Sequence, residues 1–165
     1  MKMMQFLCPK ILIGVTLAAC LGMAPMLQAA PFTVSTDGQE VTDEATGLIW
    51  KRCPYGTVFK LDACVGVPQY VMWYEALAEA ETYSRAQKQL WRVPNVKELA
   101  TLLDRSLIDR AIDANYFPTT PSAPFWSSTP YTTDAFFGWV VHFFDGSVYY
   151  TYLEDLSALR LVRDR

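Results

Sequence analysis

Positive charge is scarce and scattered in this chain, and that shortage narrows its functions first. Fourteen Lys and Arg stand against seventeen Asp and Glu, for a net charge of −3, and no basic run occurs. Nucleic acid is thereby a poor partner, and broad electrostatic capture of sulfated polysaccharide finds no support. Histidine is nearly absent: His142 is the single one. Cysteine is sparse too, and Cys8 and Cys20 fall in the first thirty residues, leaving Cys53 and Cys64. A thiolate metal site would need two further ligands, which this set does not supply nearby, so neither metal nor cofactor is expected. Long apolar runs are missing apart from Ile11 to Leu21, which Pro25 soon interrupts. That run is too short for a comfortable transmembrane helix. No internal repeat or low-complexity segment is present.

Residues 1–30 have the layout of a signal peptide. Lys2 and Lys10 precede the apolar run, and Leu27-Gln28-Ala29-Ala30 offers cleavage after Ala29 or Ala30. A second reading stays open, because Leu17-Ala18-Ala19-Cys20 also fits lipoprotein processing, with Cys20 acylated as the new N-terminus. Contact with membrane would then come through the lipid alone. Either reading exports residues 31–165, one domain of 135 residues whose net charge falls to −5 with the loss of Lys2 and Lys10. In an oxidising compartment Cys53 and Cys64, with ten residues between them, read as a disulfide.

The local signals describe an α+β fold. Gln39 to Thr42 and Leu48 to Lys51 read as strands around Glu44-Ala45-Thr46-Gly47. Met72 to about Gln89 has helical spacing, with Trp73, Leu77 and Ala80 on one face. In Trp91-Arg92-Val93-Pro94-Asn95-Val96-Lys97-Glu98-Leu99, Pro94 biases Val93 toward extended geometry. Asn95 and Glu98 then form a capping box, and Leu99, Leu102 and Leu103 carry a second helix to about Arg105. Ser106 to Pro124 is a proline-rich connection, held by Ile108, Ile112 and Phe117. Phe125 to Ser128 is extended, and Phe137 to Phe144 pairs with Ser147 to Tyr152 around Asp145-Gly146. A two-residue loop sets Phe143 opposite Val148, Val141 opposite Tyr150 and Trp139 opposite Tyr152, six residues that read as core. Val140, His142, Phe144, Ser147, Tyr149 and Thr151 share the other face. Ala158 to Arg163 reads as the closing strand. Two helices on an antiparallel sheet with paired termini is the expected architecture.

Catalysis has weak support. Ser127 or Ser128 with His142 and Asp145 lacks any nucleophile-elbow context, and Asp109 with Asp113 reads as a solvated helix face. A binding module without catalytic base is the better class. Its expected site joins Trp126, Ser127, Ser128 and Tyr131 to His142 and Tyr149 of the hairpin, and suits a weakly held saccharide or extended peptide. Trp139 and Tyr150 offer further stacking faces. Arg92 could hold a carboxylate or sulfate, although an internal pair with Glu98 or Asp145 is its structural use. The competing class is an envelope component whose partner is another protein.

Several phrases in order carry a family resemblance. These are Asp43-Glu44-Ala45-Thr46-Gly47-Leu48-Ile49-Trp50, the paired Cys53 and Cys64, Trp73 with Ala76-Leu77, Trp91 through Leu99, Phe125-Trp126-Ser127-Ser128-Thr129, and Trp139 through Asp145-Gly146. Over roughly residues 38–163 they resemble the Lcl C-terminal domain family, the C-terminal domain of Legionella collagen-like adhesins. The Trp-Arg-Val-Pro phrase is also similar to C-type-lectin-like and formylglycine-generating-enzyme folds in architecture. The first resemblance implies adhesion, sulfated glycosaminoglycan as ligand, and a trimer. Two departures stand against the last two: this chain has no Gly-X-Y repeat, and it is acidic. Leu161 also stands where many members have a cysteine.

Overall fold

The computed structural model describes residues 31–107 and 110–165. The expected signal peptide, the alternative lipidation residue Cys20, Ile108 and Asp109 lie outside them. The elements run β1 (Phe32–Val34), β2 (Glu40–Asp43), β3 (Ile49–Lys51), β4 (Thr57–Lys60), β5 (Ala63–Gly66), β6 (Tyr70–Val71), α1 (Trp73–Gln87) and α2 (Val96–Ala100). After a long connection come β7 (Pro124–Pro130), β8 (Phe137–His142), β9 (Ser147–Tyr152), β10 (Ser157–Ala158) and β11 (Val162–Arg163). One sheet has the order β1-β2-β3-β11, so it joins both ends of the domain. A larger sheet has the order β6-β10-β7-β8-β9, antiparallel except where β10 meets β7. The fold is α+β, as the sequence leads one to expect.

The larger sheet lies between two cores because its strands alternate faces. Phe125 pairs with Val141 and Trp126 with Val140. The first pair joins Leu99, Phe117, Phe143, Trp50 and Val162 in one cluster. The second joins Ala76 and Ala80 of α1, with Trp91, Leu159 and Leu161, in the other. Small residues on α1 let the helix approach the sheet closely. Gly138 serves the same approach, since a Cβ there would sit 3.0 Å from Leu153 and 3.2 Å from Trp73.

The capping box at α2 forms in full. Asn95 Oδ1 accepts from the Glu98 N–H at 2.9 Å, and Glu98 Oε2 accepts from the Asn95 N–H at 2.8 Å. Asn95→Ala is expected to cost about 1 kcal/mol. A urea midpoint equal to that of the parent protein would overturn this. The helix is shorter than its leucine spacing implies, ending at Ala100 rather than near Arg105. Leu102 and Leu103 donate to the carbonyls three residues back, Leu99 and Ala100. A tighter turn thus continues the apolar pattern after the α-helix stops.

Cys53 and Cys64 are bonded, with their Cα atoms 5.5 Å apart. The loop it closes holds β4 and the start of β5, a hairpin that no turn signal in the sequence marks. Its turn holds Leu61 and Asp62 at φ 49° and 64°, the two left-handed residues of a type I′ turn. Asn-Gly is the usual signature there, so Leu-Asp gives no warning. Reduction should lower the stability by about 3 kcal/mol through the released loop, leaving helical circular dichroism nearly unchanged at room temperature. Two alkylatable thiols in the native protein would contradict the pairing.

Candidate functional site

The expected site does not assemble. Trp126 is wholly buried, and its Nε1 donates to the Val71 carbonyl at 2.8 Å. The Ser127 hydroxyl, also fully buried, donates to the Trp139 carbonyl at 2.7 Å. Both therefore belong to the interior and neither can touch a ligand. The reason is α1, which covers the sheet face that Trp126 shares with Val140; the proline-rich connection does not. Trp73 completes the cover, its Nε1 donating to the Ser127 carbonyl at 2.8 Å.

The remaining candidates fall in separate places. Ser128 and Arg92 line one shallow recess beside α1, with Leu77, Glu81 and Ser84. Arg92 is engaged within the molecule, gripping Glu98 with both guanidinium nitrogens at 2.7 and 2.9 Å and Asp164 at 2.9 Å. The Glu98 hydrogen bonds raise its pKa further. It is a structural clamp rather than a free anion donor.

His142 lies on the hairpin with its Nδ1 3.1 Å from Asp145 Oδ1. Asp145 is held at about 2, well below the usual carboxylate range, first by the Ser147 hydroxyl and N–H and then by His142. Among the described residues no hydrogen bond joins His142 to Ser127 or Ser128, so the geometry of a catalytic triad is not built. Tyr149 is exposed on the same face, its phenol pushed up by partial burial and by Asp145 and Asp155.

The hairpin register differs from the expected one by two residues. Trp139 faces Tyr150, Val141 faces Val148 and Phe137 faces Tyr152, because the loop is Phe143 to Gly146, four residues rather than two. Gly146, at φ +72°, closes that loop, and Arg105 anchors its carbonyl. An even shift leaves every side chain on its expected face. Burial along that face is another matter. Val141 and Phe143 are core, but Tyr150 is 45 % exposed and Tyr152 58 %. The core assignment of these two tyrosines is thus corrected: the cover ends at Val148, and beyond it the sheet is open.

On this face the half-buried Tyr131, Phe137 and Trp139, the last also expected in the core, adjoin the exposed Tyr150 and Tyr152 in a contiguous aromatic platform. Tyr131 stacks on Tyr150 with ring centroids 4.2 Å apart and 18° between planes. Phe137 lies 4.4 Å from Tyr152 and 5.5 Å from Tyr150, and Trp139 lies 5.8 Å from both Tyr131 and Tyr150. Tyr152 also borders a cleft of about 710 Å³ lined by Met72, Tyr74, Phe136 and Leu153, with Glu75 and Glu154 at its rim. Of the seven expected site residues, only Tyr131 belongs to this platform. The signal for the rest was residue type: a strand end rich in tyrosine, whose ring buries while its hydroxyl stays wet. A second cleft, of about 390 Å³, opens between the disulfide hairpin and α1, bordered by Lys51, Tyr55, Gln69 and Tyr83.

Among the described residues no group of three or more His, Cys, Asp or Glu side chains has the arrangement to hold a metal ion. A search of the curated proteins returned no match. The family model of the Lcl C-terminal domain matches residues 39–163, a span that begins just before β2 and ends in β11. The capping box, the disulfide hairpin, the buried Trp126 strand and the four-residue β8–β9 loop all lie inside it. This chain belongs to the Lcl C-terminal domain family, a non-enzymatic family that takes its name from a domain of the Legionella collagen-like adhesin.

Proposed function

We propose that this protein is an exported, non-catalytic binding module of the cell envelope or surface, and that the aromatic platform holds a saccharide. The stack of half-buried Tyr131 on exposed Tyr150, continued by Trp139, Phe137 and Tyr152, carries the reading. Sugar rings present flat C–H faces that pack on aromatic rings, and hydroxyls at the ring edge, here those of the tyrosines, supply the polar contacts. The platform is shallow, which suits weak binding repeated along a polymer or across many copies of the domain. Membership in an adhesin-domain family and a disulfide agree with a working place outside the cytoplasm.

The test is Tyr150→Ala on a glycan array. Losing one stacked aromatic pair is expected to cost about 1 kcal/mol of stability, so the variant should fold. Its array signal should fall at least tenfold relative to the parent domain. An unchanged signal would move the site elsewhere. A parent domain that binds no glycan, yet captures a surface protein, would favour the envelope-component reading.

A further inference from the structure

We infer that the platform selects uncharged saccharide and rejects sulfated or carboxylated chains. The inference rests on the saccharide reading above and gives that site its ligand class. Its basis is the charge of the segment that builds the site. From Ala111 to Leu159 there is no Lys or Arg, whereas Asp113, Asp134, Asp145, Glu154 and Asp155 all occur there. That segment contributes β7, β8 and β9 and the turns around the platform.

The acids stand where a ligand would lie. Asp134 is in the β7–β8 connection and accepts from the Phe136 N–H at 3.0 Å, three residues before Phe137 of the platform. Asp155 follows Tyr152 and bonds the Thr151 hydroxyl. Glu154 and Glu75 border the cleft that Tyr152 opens into. A polyanion laid on these rings would bring its charges onto four carboxylates, and like charges in contact repel.

Cations from neighbouring elements do not offset them. Arg105 is bound to the Gly146 carbonyl at the loop end of the hairpin, six residues from Tyr152. At about 3.3 Å per residue that is about 20 Å, and about 13 Å for Tyr150, four residues away. The screening length in physiological salt is about 8 Å, so its field is largely lost at the tyrosines. Arg85 lies at the far end of α1 and pairs with Glu81. Lys97 of α2 adjoins β7, since the neighbouring Val96 N–H donates to Thr129, two residues before Tyr131. One exposed lysine contributes about 1 kcal/mol or less to an ion pair, too little to reverse the sign of the site.

The experiment titrates the domain, residues 31–165, with two sets of hexasaccharides, followed by tryptophan fluorescence and proton NMR. The neutral set is cellohexaose, maltohexaose and fully N-acetylated chitohexaose; the anionic set is made from heparin and hyaluronan. At least one neutral sugar should bind ten or more times tighter than either anionic one at low salt, and its affinity should not change with salt. Glu154→Lys should raise the heparin response at low salt, and Lys97→Ala should leave neutral binding as it was. Heparin binding tighter than any neutral sugar, weakened by salt and lost in Lys97→Ala, would overturn the charge argument while sparing the saccharide reading. Silence from both sets would remove the saccharide reading and this inference with it.

Discussion

Trp126→Ala is expected to lower the stability of the domain by about 3–5 kcal/mol, the range for emptying a buried indole. The side chain is wholly inaccessible and sits among Ala76, Ala80, Val140 and Leu159. Two of those neighbours are alanines on a helix, which have no length to collapse into the space. The mutation also removes the indole N–H from the Val71 carbonyl, a lost hydrogen bond of about 1 kcal/mol that favours the upper end of the range. Since small domains have only about 5–15 kcal/mol in all, the variant should melt near physiological temperature. Trp126→Phe keeps most of the buried area and loses the hydrogen bond, so it should fall between the parent and the alanine variant. Urea denaturation of the three proteins measures this, and a Trp126→Ala midpoint close to the parent's would contradict the burial described above.

Arg160→Ala should be as damaging, by about 3–5 kcal/mol, and for a different reason. This guanidinium is fully buried, and among the described residues no carboxylate pairs with it. It instead donates to the Lys51 carbonyl at 2.9 Å, to the Arg52 carbonyl, and to the Thr120 hydroxyl at 2.8 Å. The faces of Phe117 and Phe125 lie 4.9 and 5.6 Å from its central carbon and share the charge. Burial pushes its pKa down to about 9, which still leaves it protonated at neutral pH. Removing it takes the guanidinium donors from two carbonyls and leaves the Thr120 hydroxyl with only its bond to the Phe117 carbonyl. Arg160→Lys should not rescue the loss, because an ammonium is a point donor and cannot reach three acceptors arranged for a planar fork. Equal midpoints for the lysine variant and the parent would show that charge alone suffices at this position.

What could be read from the sequence was local. The Asn95–Glu98 box needs only four consecutive residues, and it forms as expected. Cys53 and Cys64 pair because no other cysteine is near, and Arg92 finds Glu98 six residues on. The alternation of the β8–β9 hairpin gave its faces correctly even though its register was wrong by two. Failure began where one element covers another. Periodicity assigns Trp126 and Val140 to a face but is silent on the arrival of α1 over that face. It is equally silent on the end of the cover beyond Val148, which turns Tyr150 and Tyr152 from core into surface. The same limit applies to Arg160, which the strand pattern presents as an ordinary alternating residue. The expected closing strand from Ala158 to Arg163 is in fact two, β10 and β11, in different sheets, and Arg160 lies in the break between them with its guanidinium turned in to the Lys51 carbonyl.

The pairing of β3 with β11 also sets an order on folding. Trp50 meets Val162, and Arg160 reaches Lys51 across 109 residues. Contacts of that span close late, after a large loss of chain entropy, and folds dominated by them form in milliseconds to seconds rather than microseconds. Until the last strand arrives, β3 has an open edge, and the carbonyls of Lys51 and Arg52 await their donor. The domain therefore cannot complete itself from its N-terminal half. The same delay leaves an unpaired strand exposed, so crowded folding intermediates would join edge to edge at β3 before any other strand.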